Sequence, residues 1–234
     1  MLKVYDIIFL SYHEVNAEEH WELVRQRFPR AKHLSGVKGL PKAHRIAAEQ
    51  CETRYFWVID ADNIVHDTFD FSFRWNRREE NEHRIAVWKA RNNVNGLEYG
   101  YGGIKLLPRR EVLKVSDEVT DFTTSISDLF IPMGEVASTT IINSTPFEAW
   151  KAGFRECVKL SSGIINGCIP TENKERLNGW LTTSLGAPNE EYCINGAKQG
   201  SYYGSNNADD PTALARINDW GWLHERFNYQ ATEF

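Results

Sequence analysis

The stretch RYFWVIDADNIVHD, residues 54–67, decides the fold. Tyr55, Phe56, Trp57, Val58 and Ile59 form an apolar run that Ala61 continues, yet Asp60 and Asp62 stand where the run ends. A β-rich run this short reads as a strand buried on both faces. Two carboxylates separated by one residue at the mouth of such a strand need a chemical reason.

Working outward, the residues before it read as a strand over 4–11 and a helix over 17–28, with Glu18 and Glu19 near the positive end of that helix. The punctuated loop SGVKGLP leads to a helix from Pro41 to Cys51, where the proline suits a first helical turn. After the strand come a polar segment 63–84, a strand 85–90, the turn RNNVNG and the glycine-rich YGYGGIKLLPRR, which runs into a further strand. In the second half, STPFEAWKAGFRECVKLSS opens a helix with Thr145 and Glu148 as a capping box and Pro146 in the first turn. Phe147, Trp150, Phe154 and Val158 fall on one face of it, and short Trp-rich helices from Pro211 onward are expected to close over the core. Alternating strands and helices predict an α/β fold, a mostly parallel central sheet flanked by helices, with a helical C-terminal part. Ligands of such sheets sit at the carboxyl ends of strands, where Asp60 and Asp62 stand.

At 234 residues the chain is long enough for one sizeable core, and a single domain is expected. Its net charge is −5, from 27 Lys and Arg against 32 Asp and Glu, which argues against a general nucleic-acid coat. From Leu23 to Ala48 the balance reverses: Arg25, Arg27, Arg30, Lys32, Lys38, Lys42 and Arg45 occur without an acid. That run reads either as a solvated face or as an anionic-ligand face. The cysteines, Cys51, Cys157, Cys168 and Cys193, show no C-x-x-C pair, a pattern of reduced thiols in a cytoplasm. No apolar run approaches the roughly 20 residues of a membrane span, and MLKVYDIIFLSYHE reads as a first strand and not as a signal peptide.

A turn after the strand can bring Asp60 and Asp62 toward one cation. Hard divalent ions such as Mn²⁺ or Mg²⁺ take oxygen ligands and share them with substrate phosphates. Alone, D-x-D is a weak signal, because turns are rich in Asp for local hydrogen-bonding reasons.

The neighbourhood is more specific. GLPKAHRIAAEQCETRYFWVIDADN resembles the nucleotide-sugar segment of GT-A-fold, family-2-like glycosyltransferases, with Gly39, Ala43, Ala47, Tyr55, Asp60 and Asp62 in the family's places. His44-Arg45 stands where that family has Arg-Asn. YGYGGIKLLPR resembles the glycine-rich acceptor loop, and TDFTTS falls where the family carries its acidic catalytic motif. The general resemblance covers roughly residues 4–125. A narrower one, carried by DIIFLSYHE, FRECVKL and NGAKQGSYYG, extends over nearly the whole chain to small tailed-phage glycosyltransferases. It implies a GT-A-like domain, with residues 1–110 the nucleotide-sugar-binding half and 111–234 the acceptor-side half. It also implies a metal-dependent transfer of a sugar from a UDP-sugar to a hydroxyl, with 5-hydroxymethylcytosine in phage DNA as acceptor. The chain would then work in the cytoplasm of a host cell.

The resemblance implies Tyr12, Glu14, Lys38, His44, Asp60, Ala61, Asp62, Gly102 and Gly103 as nucleotide-sugar contacts, and Asp60, Asp62 and His224 as metal ligands. Several have an ordinary structural alternative. Tyr12 stacks on uracil or is a part-exposed structural ring. Gly102 and Gly103 admit a sugar or permit a bulge. Asp121 is the acceptor's general base or an N-cap for FTTSISDLF. Lys151, Arg155 and Lys159 repeat every four residues, as a solvated stripe or as acceptor contacts to phosphate. His224 beside Trp222 and Phe227 is a ligand or a packed ring. Rival functions are a glycosyltransferase acting on a surface glycan or protein, a nucleotidyltransferase, and a non-catalytic nucleic-acid-binding module. SYHEVNAEE lacks the Gly-, Arg- and Lys-containing triphosphate loop of the nucleotidyltransferases.

Overall fold

The computed structural model describes residues 4–100, 103–117, 125–163 and 170–231. The chain divides into two compact units, Met1–Arg91 with Glu98–Thr140, and Asn92–Leu97 with Ile141–Phe234.

The first unit is built around β3 (Tyr55–Asp60), whose side chains alternate between two cores. Tyr55, Trp57 and Ile59 pack with Ile7, Phe9 and Trp88 on one face. Phe56 and Val58 pack with Ile8, Ala47 and Leu107 on the other. Burial on both faces is why the run shows no polar alternation. Before β3 come β1 (Asp6–Ser11), α1 (Ala17–Arg27), β2 (Lys32–Ser35) and α2 (Leu40–Glu49). After it come β4 (Asn63–Val65), α3 (Arg77–Asn81), β5 (Ile85–Asn92), β6 (Glu98–Tyr99), β7 (Ile104–Pro108), α4 (Arg109–Val112) and β8 (Phe130–Thr140).

The strand order is β2-β1-β3-β7-β5-β8-β4, with β6 paired to β5. β1 runs parallel to both β2 and β3, whereas β7 runs antiparallel to β3 and to β5. The expected mostly parallel sheet is therefore corrected to a mixed one. The cause is the link from β5 to β7, a tight turn and the short β6. Parallel neighbours need a crossover of about a dozen or more residues, usually a helix, and the described residues of this link contain none. The parallel part has its own geometry: from β1 the chain crosses over α1 to β2, then over α2 to β3 on the far side of β1. α1 packs through Val24 into the core of Trp57, and α2 packs through Ala47 and Ala48 into that of Val58, on the opposite face. The strand order thus reverses between β1 and β3, the point where doubly wound sheets open a ligand crevice.

Residues 63–84 are not merely polar. Phe69, Phe71 and Trp75 are buried in the core of Trp57 and Trp88. The Arg27 guanidinium donates to the carbonyls of Val65, His66, Asp67 and Phe69 at 3.3, 3.2, 2.9 and 3.0 Å, tying that segment to α1.

The second unit contains α5 (Pro146–Ser162), α6 (Pro170–Thr182), α7 (Glu190–Asn206), α8 (Pro211–Ala215), a 3₁₀ turn (Arg216–Asn218) and α9 (Trp220–Ala231). The Thr145 hydroxyl accepts from the Glu148 N–H at 3.1 Å, as the N-cap should. The Glu148 carboxylate pairs with Lys151, so the described structure makes half of the expected capping box. Trp150, Phe154 and Val158 pack against Leu214, Ile217 and Leu223, so the C-terminal helices do close over the apolar face of α5. On another side α5 meets α7 almost backbone to backbone. A Cβ on Gly196, Gly200 or Gly204 would lie 2.1, 2.2 or 2.5 Å from the carbonyl oxygens of Trp150, Phe154 and Val158. The late NGAKQGSYYG is therefore a helix-packing motif.

Candidate active site

The carboxyl ends of β1 and β3 lie side by side, with Leu10 opposite Asp60 in the register. The turn that follows β3 is held at three points. The Asp60 N–H donates to the Gly103 carbonyl at 2.8 Å, and the Ala61 N–H donates to the Leu10 carbonyl at 3.0 Å. The Ala61 carbonyl accepts from Nδ1 of His20, a buried residue of α1, at 2.7 Å. Ala61, itself buried, is thus the anchor between the two aspartates.

Each aspartate has its own partner. Lys105 Nζ donates to both oxygens of Asp60, at 2.9 and 2.8 Å. The Asn63 amide donates to Asp62 Oδ1 at 2.6 Å. That amide is itself oriented, because its Oδ1 accepts from the hydroxyls of Ser138 and Thr140 at 2.8 and 2.9 Å. Gly103 leaves the space for it, since a Cβ there would lie 2.3 Å from Asn63 Oδ1.

Both carboxyls are pushed toward their protonated forms. Burial, then the charges of Asp60 and Glu14, push the Asp62 carboxyl up to about 7, against the opposing Asn63 and Lys105. Asp60 is also raised, by burial first and by Glu14, although Lys105 opposes both. Glu14 lies beyond β1 with Oε2 accepting from the Tyr12 N–H at 2.7 Å, and the Tyr12 and His13 rings stand 3.9 Å apart. Burial, then Lys105, pushes the His44 imidazole down to about 3, although its bond to the Leu40 carbonyl opposes them, so the ring is neutral. The Nδ1 of His44 lies 2.9 Å from that carbonyl. Lys38 is exposed in the loop between β2 and α2.

Asp60, Asp62, Glu14 and Ala61 thus share one neighbourhood, with His44 facing it through Lys105. Asp121 and Gly102 lie outside the described residues. His224 is in the second unit, its ring stacked on Phe147 with centroids 3.6 Å apart. The stripe on α5 is a solvated face only in part. Lys151 is buried, paired with Glu148, with its ammonium 3.7 Å from the centre of the Trp220 ring. Arg155 donates to Asn218 at 3.0 Å, and Lys159 stands 3.6 Å from Glu156. The basic run in the first unit is also largely engaged within the protein: Arg25 with Glu22, Arg27 with the carbonyls after β4, Lys32 with the Gln50 carbonyl, and Arg45 with Asp117.

Sequence reasoning missed Lys105, Asn63 and His20. The first carried a signal, a lone lysine inside the apolar run IKLLP. His20 carried none, because its partner Ala61 is remote in sequence, and Asn63, although it adjoins Asp62, is oriented by the remote Ser138 and Thr140.

No family model matches the chain, and no curated protein matches it. Among solved structures, 55 chains are similar to it. A mannosyltransferase from Pyrobaculum calidifontis, in complex with GDP-Man and Mn²⁺, is 11% identical with a TM-score of 0.41, over 98% of this chain and 83% of that one. A glycosyltransferase involved in the glycosylation of the major capsid of PBCV-1 is 12% identical with a TM-score of 0.38, over 59% of this chain and 94% of that one. HddC from Yersinia pseudotuberculosis is 12% identical with a TM-score of 0.36, over 55% and 89%. Glycosyltransferases therefore stand among its structural neighbours, at a likeness that carries no argument about activity.

Proposed function

We propose that the chain transfers a sugar from a UDP-sugar to a hydroxyl, with the crevice between β1 and β3 as the donor site. The observation that carries this reading is the carboxylate pair at the topological switch point, held by dedicated partners and left with more negative charge than Lys105 balances. Such a surplus fits a hard divalent ion, Mn²⁺ or Mg²⁺, whose other ligands come from phosphate and water. Asp60 and Asp62 would hold it, and when bound it supplies charge neutralisation for the departing diphosphate.

The chain's own groups do the rest. Asn63 and Lys105 orient the two carboxylates before the donor arrives. Tyr12 and Glu14, beyond β1, would meet the nucleoside. In the transfer the bond from the anomeric carbon to the diphosphate oxygen breaks, and one to the acceptor oxygen forms. The acceptor proton passes to a carboxylate base, assigned to Asp121.

The test is nucleoside diphosphate release across a panel of sugar nucleotides. Plain DNA, DNA containing 5-hydroxymethylcytosine, glycans and protein are offered in turn as acceptors. Asp60→Asn and Asp62→Asn should stay folded and lose turnover, and EDTA should silence the wild type. Full activity in EDTA overturns the metal reading. No release with any sugar nucleotide overturns the transfer itself.

A further inference from the structure

Lys105 lies on β7 opposite Val58 of β3, in a strand whose other residues, Ile104, Leu106, Leu107 and Pro108, are all buried. Its side chain is 10% exposed. Burying an ammonium is costly unless it is paired, and the pairing here is with both oxygens of Asp60. Its charge also acts on Asp62 and on His44. Because His44 is neutral, it adds no second positive charge at this place. Among the described residues, the Lys105 ammonium is the cation hydrogen-bonded to the pair, with Glu14 adding a further negative charge nearby.

We infer that Lys105 is a resident counter-cation: by holding both oxygens of Asp60, it sets how strongly the carboxylate pair draws a divalent ion. An ammonium and a metal ion compete for the same carboxylate oxygens, and each lowers the attraction that the site exerts on the other. Lys105 keeps Asp60 charged and oriented while the crevice is empty. Lys105 is a positioning residue that acts through Asp60. The inference rests on the proposed reading of Asp60 and Asp62 as a cation site.

The test is a titration of the purified chain with Mn²⁺ alone, without donor, following the free-ion signal by electron paramagnetic resonance. Lys105→Met and Lys105→Gln should bind Mn²⁺ about tenfold or more tightly than wild type, the order expected when a unit charge is removed a few ångströms from the ion. Lys105→Arg, which keeps the charge, should stay within about threefold of wild type, and adding Asp62→Asn to either neutral variant should remove the gain. Circular dichroism establishes that each variant is folded, and if the methionine variant is not, the polar glutamine, which keeps an N–H donor, carries the comparison. Neutral variants that bind Mn²⁺ no more tightly than a wild type that binds it overturn the inference and leave the proposed function standing. Absence of Mn²⁺ binding in the wild type and in both neutral variants overturns the inference together with the metal part of that function.

Discussion

Gly200 of α7 lies against the carbonyl of Phe154 on α5, so close that a Cβ would come within 2.2 Å of the oxygen. The same contact repeats one turn to either side, at Gly196 with Trp150 and Gly204 with Val158. The reverse contact is present as well, since a Cβ on Gly153 would lie 2.1 Å from the Cys193 carbonyl. Backbone atoms on both sides leave nothing flexible to give way.

Gly200→Ala should therefore destabilise the second unit by about 1–3 kcal/mol or more, through overpacking that only a shift of a whole helix can relieve. Helix propensity alone would make the same change favourable by roughly 0.8–1 kcal/mol, so the sign of the effect separates packing from propensity. Ser205→Ala, at an exposed position of the same helix, should be near neutral. Guanidinium unfolding followed by circular dichroism reads the difference, and a Gly200→Ala chain as stable as wild type contradicts the packing.

Gly103→Ala should disturb Asp62 without touching it. The new methyl group would occupy the place of the Asn63 amide, 2.3 Å away, and release its bond to the carboxylate. Turnover should fall well below wild type, with a stability cost of about 1–3 kcal/mol. Asn63→Ala should lower turnover as well, and should leave the Ser138 and Thr140 hydroxyls without their shared acceptor. Steady-state kinetics with the identified donor, set beside thermal melts, checks both. Wild-type kinetics in Gly103→Ala would remove the orienting role of Asn63.

Asp6 gives the first unit a pH dependence. Burial pushes its carboxyl up, but bonds from the Glu52 N–H at 2.6 Å and from the Thr53 N–H and hydroxyl at 2.9 Å outweigh burial and hold it below its ordinary value. A depressed carboxyl contributes stability that is complete above its unfolded pKa, about 4, and is lost as pH falls through the folded value. Asp6→Asn should cost about 1–2 kcal/mol at neutral pH. The gap between wild type and variant should close progressively below about pH 4. Denaturant titrations at several pH values measure it, and a gap that widens toward acid pH contradicts the assignment.

Asp121→Asn separates base from cap. As the acceptor's base, its loss should lower turnover by about 10²–10⁴-fold while leaving donor affinity nearly unchanged. Near-normal turnover with a marked drop in melting temperature identifies a helix cap.

Much of this was legible in the residues. The unbroken run Tyr55–Ile59 announced a strand covered on both faces, because only a strand with two apolar environments dispenses with polar alternation. Asp60 and Asp62 marked its mouth, and the helix opening at Thr145 lies where its cap and apolar spacing put it. These are local facts: strand period, helix period and cap chemistry act within a few residues. The direction of β7, the burial of Phe69 and Phe71 in a segment read as polar, the partner of Asp60 and the orientation of Asn63 beside Asp62 depend on contacts across tens of residues. Lys105 reaches Asp60 across 45 positions, and Ser138 reaches Asn63 across 75. The basic stripe on α5 illustrates the same limit, since spacing put Lys151 on a surface that Trp220 covers. By itself the sequence determined that a buried strand ends in two carboxylates. Only the tertiary structure decided which ammonium holds Asp60 and which hydroxyls turn the Asn63 amide toward Asp62, because a hydrogen bond between remote residues leaves no periodicity in the chain.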